Sequence, residues 1–419
     1  MLDDNWILTM LPPMLSGEQL QEALRVLPAY DSGIRKADAA TRLLGLSDLY
    51  RIYLPSQMSL EIYSKLYLAV IRSLQKKGTR LSIRQSNENA RGAHGQEYGG
   101  IIGGADSFTI IGVSGIGKSS AISRSISLIT RERVIELEQP YGKLLPCVVV
   151  QCPFDCSVKG MLLEILRKVD EALGSAYFTR AVRAKATTDM LIGSVSQVAL
   201  NHIGLLVVDE IQNVVNSKNG KSLVGSLTQL INNSGISICM VGTPESTVFF
   251  ESAMHLARRS LGLAYQAVPF DTYFHSFCET LFSYQYVEHA AELTPAIVEW
   301  LYEHSAGVLS VVVSLIHDAQ EISILNGREM LDMAALREAY QERMTMLQDY
   351  LRPDSVQPTG KKQTDKTASE RQAPLPDVAT EAPTPDIHVL TEAARQAREE
   401  QADVVELLRS SVTVEEVAV

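Results

Sequence analysis

Long apolar runs are missing from this 419-residue chain. Stretches such as LLVVD at 205–209 and SVVVSLIH at 310–317 fall well short of the ~20 residues a membrane-spanning helix needs, which excludes such a helix and any membrane role built on one. A basic, cleavable leader is also missing. The opening MLDDNWILTML is acidic where a secretory signal carries positive charge, so the expected compartment is the cytoplasm. Cysteine is scarce: five residues, an odd number without regular spacing, argue against a disulfide framework and fit thiols in a reducing compartment. Aromatics reach only 6%, but 46% hydrophobic and 21% charged residues are ordinary for a globular protein and exclude wholesale disorder. The length suggests about two to three domains.

Basic charge is in deficit, 38 Lys and Arg against 49 Asp and Glu, which at first sight speaks against a nucleic-acid partner. The deficit is uneven. Pro353 to Val419 alone holds 13 acidic and 7 basic residues, so the acidity is concentrated at the C-terminal end. Bases cluster elsewhere, first as Lys76, Lys77, Arg80, Arg84 and Arg91, then as Lys159, Arg167, Lys168, Arg180, Arg183 and Lys185. Such a cluster is ordinarily a solvated face.

Residues 1–57 read as a small helical N-terminal module, with Leu and Val spaced by three or four. Ser59 is positioned to cap a stronger helix through Lys77, whose Leu60, Tyr63, Leu66, Tyr67, Val70, Ile71 and Leu74 share one face. A polar, Gly-rich connector is expected at 85–105. Strands then alternate with amphipathic helices: strands at 107–113, 145–153, 204–210 and 235–243, helices at 119–130, 159–174 and 221–234. Continuous apolar strands separated by helices predict an α/β core with a parallel sheet covered on both faces, extending over 58–270. From 271 to 352 the strand signal disappears and a helical subdomain follows. Six of the sixteen prolines fall between Pro353 and Pro385, in a stretch too polar to bury a core, so 353–389 is expected to be a disordered linker. Residues 390–419 resume a helical pattern as an amphipathic tail suited to binding a partner.

The strongest motif runs through Gly112, Val113, Ser114, Gly115, Ile116, Gly117, Lys118 and Ser119, with Ser120 following, and it matches G-x-x-x-x-G-K-[ST] between a buried strand and a helix start. Glycines let backbone N–H groups turn around a triphosphate, the helix N-terminus adds its dipole, and Lys118 places a cation at the β and γ phosphates. Ser119 would offer its hydroxyl to Mg²⁺. The strand GLLVVDE ends in Asp209-Glu210, where Asp209 is suited to the Mg²⁺ hydration shell and Glu210 to polarising an attacking water. The fourth strand ends in Gly242-Thr243-Pro244, making Thr243 a candidate contact to the γ-phosphate or lytic water. Arg258 and Arg259 are alternative candidates for an arginine finger aimed at a neighbouring subunit's nucleotide. Cys152 and Cys156 have the wrong spacing for a redox or zinc pair, and the histidines form no catalytic constellation. No metal other than Mg²⁺ is indicated.

Phosphate loop, DE-terminated strand, GTP-terminated strand, twin arginine and helical lid together resemble an AAA+ P-loop ATPase. More closely, VVVQCPFDCSVKGMLLEILRKVDEALGSAY at 148–177, LLVVDEIQNV at 205–214 and CMVGTPES at 239–246 resemble the TnsC/TniB family of ATP-dependent regulators of target-selecting DNA transposons. LPAYDSG at 27–33 and the helix from Ser59 to Lys77 are similar to that family's opening segment. The resemblance implies that Lys118, Ser119, Asp209 and Glu210 handle ATP and Mg²⁺ and that Arg258 or Arg259 acts in trans. It implies a homo-oligomer, ring or helical filament, around duplex DNA, with Lys159, Thr179, Arg180 and Arg183 facing the DNA backbone. Contacts of that kind are salt-sensitive and largely nonspecific. Target choice would then come from a separate target-selection protein, and transposase subunits would read the assembly. One departure stands out: where AAA+ lids often carry a sensor arginine after a glycine, this sequence has Gly307-Val-Leu-Ser310. Two alternatives share parts of the pattern. A replication-initiator or helicase-loader ATPase has the same core and DNA binding, and a STAND-type signalling ATPase senses a ligand and need not touch DNA.

Overall fold

The parallel sheet expected from the apolar runs is present, with two strands more than the sequence pattern indicates. The computed structural model describes residues 11–77, 79–103, 107–130, 134–136, 142–247 and 262–345. Its strands are β1 (Ser107–Gly112), β2 (Ile135–Glu136), β3 (Lys143–Gln151), β4 (Ile203–Asp209), β5 (Ser237–Gly242) and β6 (Leu263–Tyr265), in sheet order β2-β3-β4-β5-β1-β6. β2 runs antiparallel to β3; the other neighbours are parallel. Every residue of β1 and β5 is buried, as are the first six of β4, which is why these strands read as unbroken apolar runs. β2 and β6 escaped the sequence reading because two or three residues carry no period.

The pleat sends alternate side chains into two cores. Leu205, Val207, Cys239 and Val241 face one side, and Leu206, Val208, Ile238 and Met240 the other. Helices α1 (Gly17–Leu24), α2 (Ala39–Gly45), α3 (Gln57–Lys76) and α4 (Arg80–Ala93) precede β1, and α5 (Lys118–Ile129) follows it. Of these, α1, α3 and α5 pack on the first face, through Leu24, Ile62, Leu66, Ala121 and Ile122 among others. Helices α6 (Val158–Leu173), α7 (Tyr177–Arg183), α8 (Thr188–His202) and α9 (Gly220–Ser234) follow. Of these, α6, α8 and α9 cover the second face.

α3 begins one turn earlier than expected. Ser56, not Ser59, is its N-cap: Ser59 N donates to Ser56 Oγ at 3.4 Å, and Ser56 N donates to Ser59 Oγ at 3.1 Å, a reciprocal capping box. The connector expected at 85–105 is helical as far as Ala93, because the buried stripe of α4 is polar and has no apolar period to read. Gln85 Oε1 accepts from the N–H groups of Ile101 and Ile102, Gln85 Nε2 donates to Asn89 Oδ1, and Asn89 Nδ2 donates to the Asn233 carbonyl. These bonds offset the cost of burying amides.

A third core forms from α10 (Thr272–Phe282), α11 (Pro295–Ser305), α12 (Leu309–Leu325) and α13 (Met333–Arg343). Leu46, Leu49 and Ile52 join it, so the N-terminal residues divide between the sheet and this helical subdomain. Arg42, only 3% exposed, fixes the junction by donating to Glu329 through Nη1 at 2.5 Å and Nη2 at 2.7 Å, and to the Tyr286 carbonyl at 3.2 Å. The chain divides into two units, Met1–Gln357 and Pro358–Val419. The expected linker at 353–389, the tail at 390–419 and the Arg258-Arg259 pair all lie outside the described residues. Among those described, no helix is long and apolar enough to cross a membrane.

The first basic cluster is not one solvated face. Lys77 is buried, and its Nζ donates to the carbonyls of Ala199 and Leu200 at 2.8 and 2.5 Å near the C-terminus of α8. Burial lowers its pKa from 10.5 to about 7. Between those values the unfolded chain holds a proton that the folded chain releases, so Lys77 makes stability rise with pH from about 7 to 10.5. That contribution is lost as pH falls back towards 7. The slope of one proton is about 1.4 kcal/mol per pH unit. Chemical denaturation across this range should show a flatter profile for Lys77→Met than for the wild type; parallel profiles would show that Lys77 stays charged.

Candidate functional site

The C-terminal ends of β1, β4 and β5 meet at one edge of the sheet, where the sequence placed its chemistry. β5 lies between β1 and β4. Thr243, one residue past β5, therefore leaves the sheet between the phosphate loop and Asp209. The turn out of β1 passes through Gly115 (φ +82°) and Gly117 (φ +96°), backbone values that a side chain disfavours. A Cβ on Gly115 would also lie 2.3 Å from Ser310 Oγ. Ile116 turns inward and is 2% exposed, which anchors the loop, while Ser114, Ser119 and Ser120 are exposed. Gly117 caps α5 with no side-chain hydrogen bond. The first-turn N–H groups of α5 therefore have no side-chain acceptor at the cap and are available to an anion.

Lys118 is 9% exposed and donates from Nζ to the carbonyls of Gly112 at 2.6 Å and Val113 at 2.8 Å. Burial lowers its pKa, and the carboxylates of Asp209, Glu210 and Glu245 oppose that shift. Ser119 Oγ donates to Asp209 Oδ2 at 3.3 Å, joining phosphate loop and strand end across the 90 residues between them. The two oxygens form a hard, exposed donor pair of the kind Mg²⁺ takes beside phosphate oxygens and water, so the residues present fit that ion. Glu210 sits in the left-handed region at φ +58°, its N–H donates to Asp209 Oδ1 at 2.9 Å, and its Oε2 accepts from Gln212 Nε2. A non-glycine residue held there turns its carboxylate out of the strand direction, towards solvent.

A cleft of about 210 Å³ lies beside Gly115–Gly117. Ile52, Tyr53 and Met58 line it from the N-terminal side, Phe277, Leu309 and Val313 from the helical subdomain. The Ser310 N–H donates to the Gly115 carbonyl at 3.1 Å, so the segment lacking the sensor arginine rests directly on the phosphate loop. No linear pattern marks these residues, which come from segments far apart in the chain. Gln151, whose register partner is Asp209, was missed for the same reason.

Lys159 is exposed in the first turn of α6, and Thr179, Arg180 and Arg183 are exposed on α7. None of these three cations has a carboxylate within ion-pair distance among the described residues. Arg167 and Lys168, grouped with them by sequence, instead pair with Glu164 and Glu171 along α6. Desolvation pushes the thiols of half-buried Cys147 and of buried Cys152 and Cys278 up to about 12, which leaves them protonated and inert at neutral pH.

Sheet order, phosphate loop, acid-tipped strand and helical lid together define an AAA+ P-loop ATPase fold. The sequence profile of the family described as Bacterial TniB protein matches residues 104–263, under half of the chain. No curated protein matches the chain. Among solved structures it is similar to the Aeropyrum pernix Orc1 protein in complex with DNA, at 18% identity over 62% of this chain and TM-score 0.42. That alignment spans 64% of the Orc1 chain, under two thirds of it. It is also similar to Drosophila ORC bound to DNA, at 12% identity over 97% of this chain and 85% of that one, TM-score 0.44. Domain III of the Thermotoga maritima replication initiation protein DnaA matches at 12% identity over 64% of this chain and 94% of that one, TM-score 0.36.

Proposed function

We propose that the protein is an ATP-hydrolysing, DNA-binding regulator of transposition. It assembles as a ring or helical filament on target duplex DNA, links a target-selection protein to transposase subunits, and leaves the DNA on hydrolysis. The observation that carries this reading is the meeting of Lys118, Ser119 and Asp209 at one sheet edge within a segment matching the TniB family.

In this reading the N–H groups from Val113 to Ser119 cradle the triphosphate, and Lys118 exchanges its two loop carbonyls for the β and γ phosphates. Ser119 and Asp209 would hold Mg²⁺, which supplies neutralisation of charge on the transferred phosphoryl group. Glu210 orients and polarises the attacking water, Thr243 contacts the γ-phosphate, and Arg258 or Arg259 reaches in from a neighbouring subunit. The cleft lined by Ile52, Tyr53 and Leu309 takes the base. Contact between subunits through the γ-phosphate is lost on hydrolysis, an order change that releases DNA. Lys159, Thr179, Arg180 and Arg183 touch the DNA backbone, so affinity depends on salt and little on sequence.

Anisotropy of a labelled duplex, titrated with the protein in a slowly hydrolysed ATP analogue or in ADP, tests the reading. Tight, salt-sensitive binding with the analogue alone is expected. Equal binding in both nucleotides, or none, would count against it.

A further inference from the structure

The β3–α6 loop and the segment following Asp209-Glu210 form a surface on which Phe154 has been given no role. We infer that this surface faces the bases of duplex DNA, with Phe154 as an apolar wedge between base steps; the inference rests on the DNA-binding reading.

Phe154 is 88% exposed, the highest value among the large hydrophobic side chains described. The loop that presents it is firmly tied. Cys152 and Cys156 are buried on either side of the tip, and Cys156 N donates to the Pro153 carbonyl at 2.9 Å, closing a turn. Cys152 N donates to the Asp209 carbonyl at 2.8 Å, and Asn213 Nδ2 donates to the Cys152 carbonyl at 3.0 Å. The Asp155 carbonyl accepts from Ser217 Oγ at 3.2 Å and Asn219 Nδ2 at 3.1 Å. An aromatic ring held out on a braced turn is positioned to meet something, since a free loop would fold such a ring against the nearest apolar surface.

The surroundings favour nucleic acid over protein. Phe154 and Val215 (37% exposed) are the apolar members of a groove of about 700 Å³, whose other lining is largely amide and hydroxyl, with Lys218 at its edge. Two apolar side chains make too small a centre for a stable protein interface, which needs a contiguous apolar core. Lys159, Lys218 and Lys221 are exposed, and none has a carboxylate within ion-pair distance among the described residues. Two acids, Asp155 and Glu245, also line the groove. One of them is partly committed, since Asp155 Oδ1 accepts from Ser157 N at 3.0 Å. An apolar wedge flanked by cations and amides is the composition with which proteins enter the minor groove and part base steps.

The test is duplex binding by the full chain in the slowly hydrolysed ATP analogue. Phe154→Ala should weaken binding by about tenfold, while the slope of log K against log salt stays at the wild-type value because no charge is lost. Lys159→Ala should instead reduce that slope by about one. Phe154→Trp should keep near wild-type affinity and show fluorescence quenching on adding duplex beyond that of the wild-type tryptophans. Wild-type affinity in Phe154→Ala, or no added quenching in Phe154→Trp, overturns the inference and leaves the DNA-binding reading standing. Unchanged DNA affinity with impaired self-association in sedimentation would assign the ring to a protein contact and overturn it equally. Failure of the wild type to bind duplex would remove the DNA-binding reading itself.

Discussion

Lys118→Ala should lose ATP turnover and nucleotide-dependent DNA binding together. Lys118 is 9% exposed and its ammonium serves only the carbonyls of Gly112 and Val113 among the described residues, so its removal leaves the sheet and α5 core untouched. What it removes is the cation that would face the β and γ phosphates in a half-buried site. Deleting one partner of such a charge-assisted contact costs about 2–5 kcal/mol, or roughly thirtyfold and upward in nucleotide affinity. Turnover should fall further, because charge moving onto the phosphoryl oxygens would lose one of the cations that face it. Isothermal titration with the ATP analogue, followed by duplex anisotropy, measures both effects. Wild-type nucleotide affinity in the variant would show that Lys118 does not reach the phosphates.

Glu210→Gln should separate binding from turnover. Its backbone lies at φ +58° and its N–H is held by Asp209, so an amide of the same shape keeps the turn. Losing the carboxylate removes the group that polarises water, and turnover should drop about 10²–10⁴-fold. ATP affinity should change little, since Lys118, Ser119 and Asp209 remain. The variant should therefore stay on DNA in ATP long after the wild type has left. Release at the wild-type rate would mean that hydrolysis does not time dissociation.

The shape of the loop from Gly112 to Ser119 was legible because it is local. Gly115, Gly117, Lys118 and Ser119 occupy one strand–loop–helix turn, and the positive φ values at both glycines are what the spacing demands. The place of Asp209-Glu210 was legible because an unbroken apolar run ending in two acids marks a buried strand and its tip, and the 3.3 Å contact from Ser119 brings loop and strand end together. The central strands were legible from their full burial, the short edge strands β2 and β6 were not. α4 was misread because its buried stripe is Ser82, Gln85, Asn89 and Gly92, held by hydrogen bonds rather than apolar contact. The cleft beside Gly115 and the Ser310 contact were invisible for a different reason: they depend on which distant segments the fold brings over the phosphate loop. Charge counting misled at Lys77, where a lysine read as solvated spans from the end of α3 to the last carbonyls of α8. At Arg167 the solvated reading agrees with the structure, where its charge is matched by two glutamates of its own helix.

If nucleotide state governs assembly on DNA, negative-stain electron microscopy of the full chain with duplex DNA should distinguish the slowly hydrolysed ATP analogue from ADP. Ordered rings or filaments on DNA with the analogue and dispersed particles with ADP are the predicted result. Particles unchanged by DNA and by nucleotide would show that the protein does not assemble on DNA under nucleotide control.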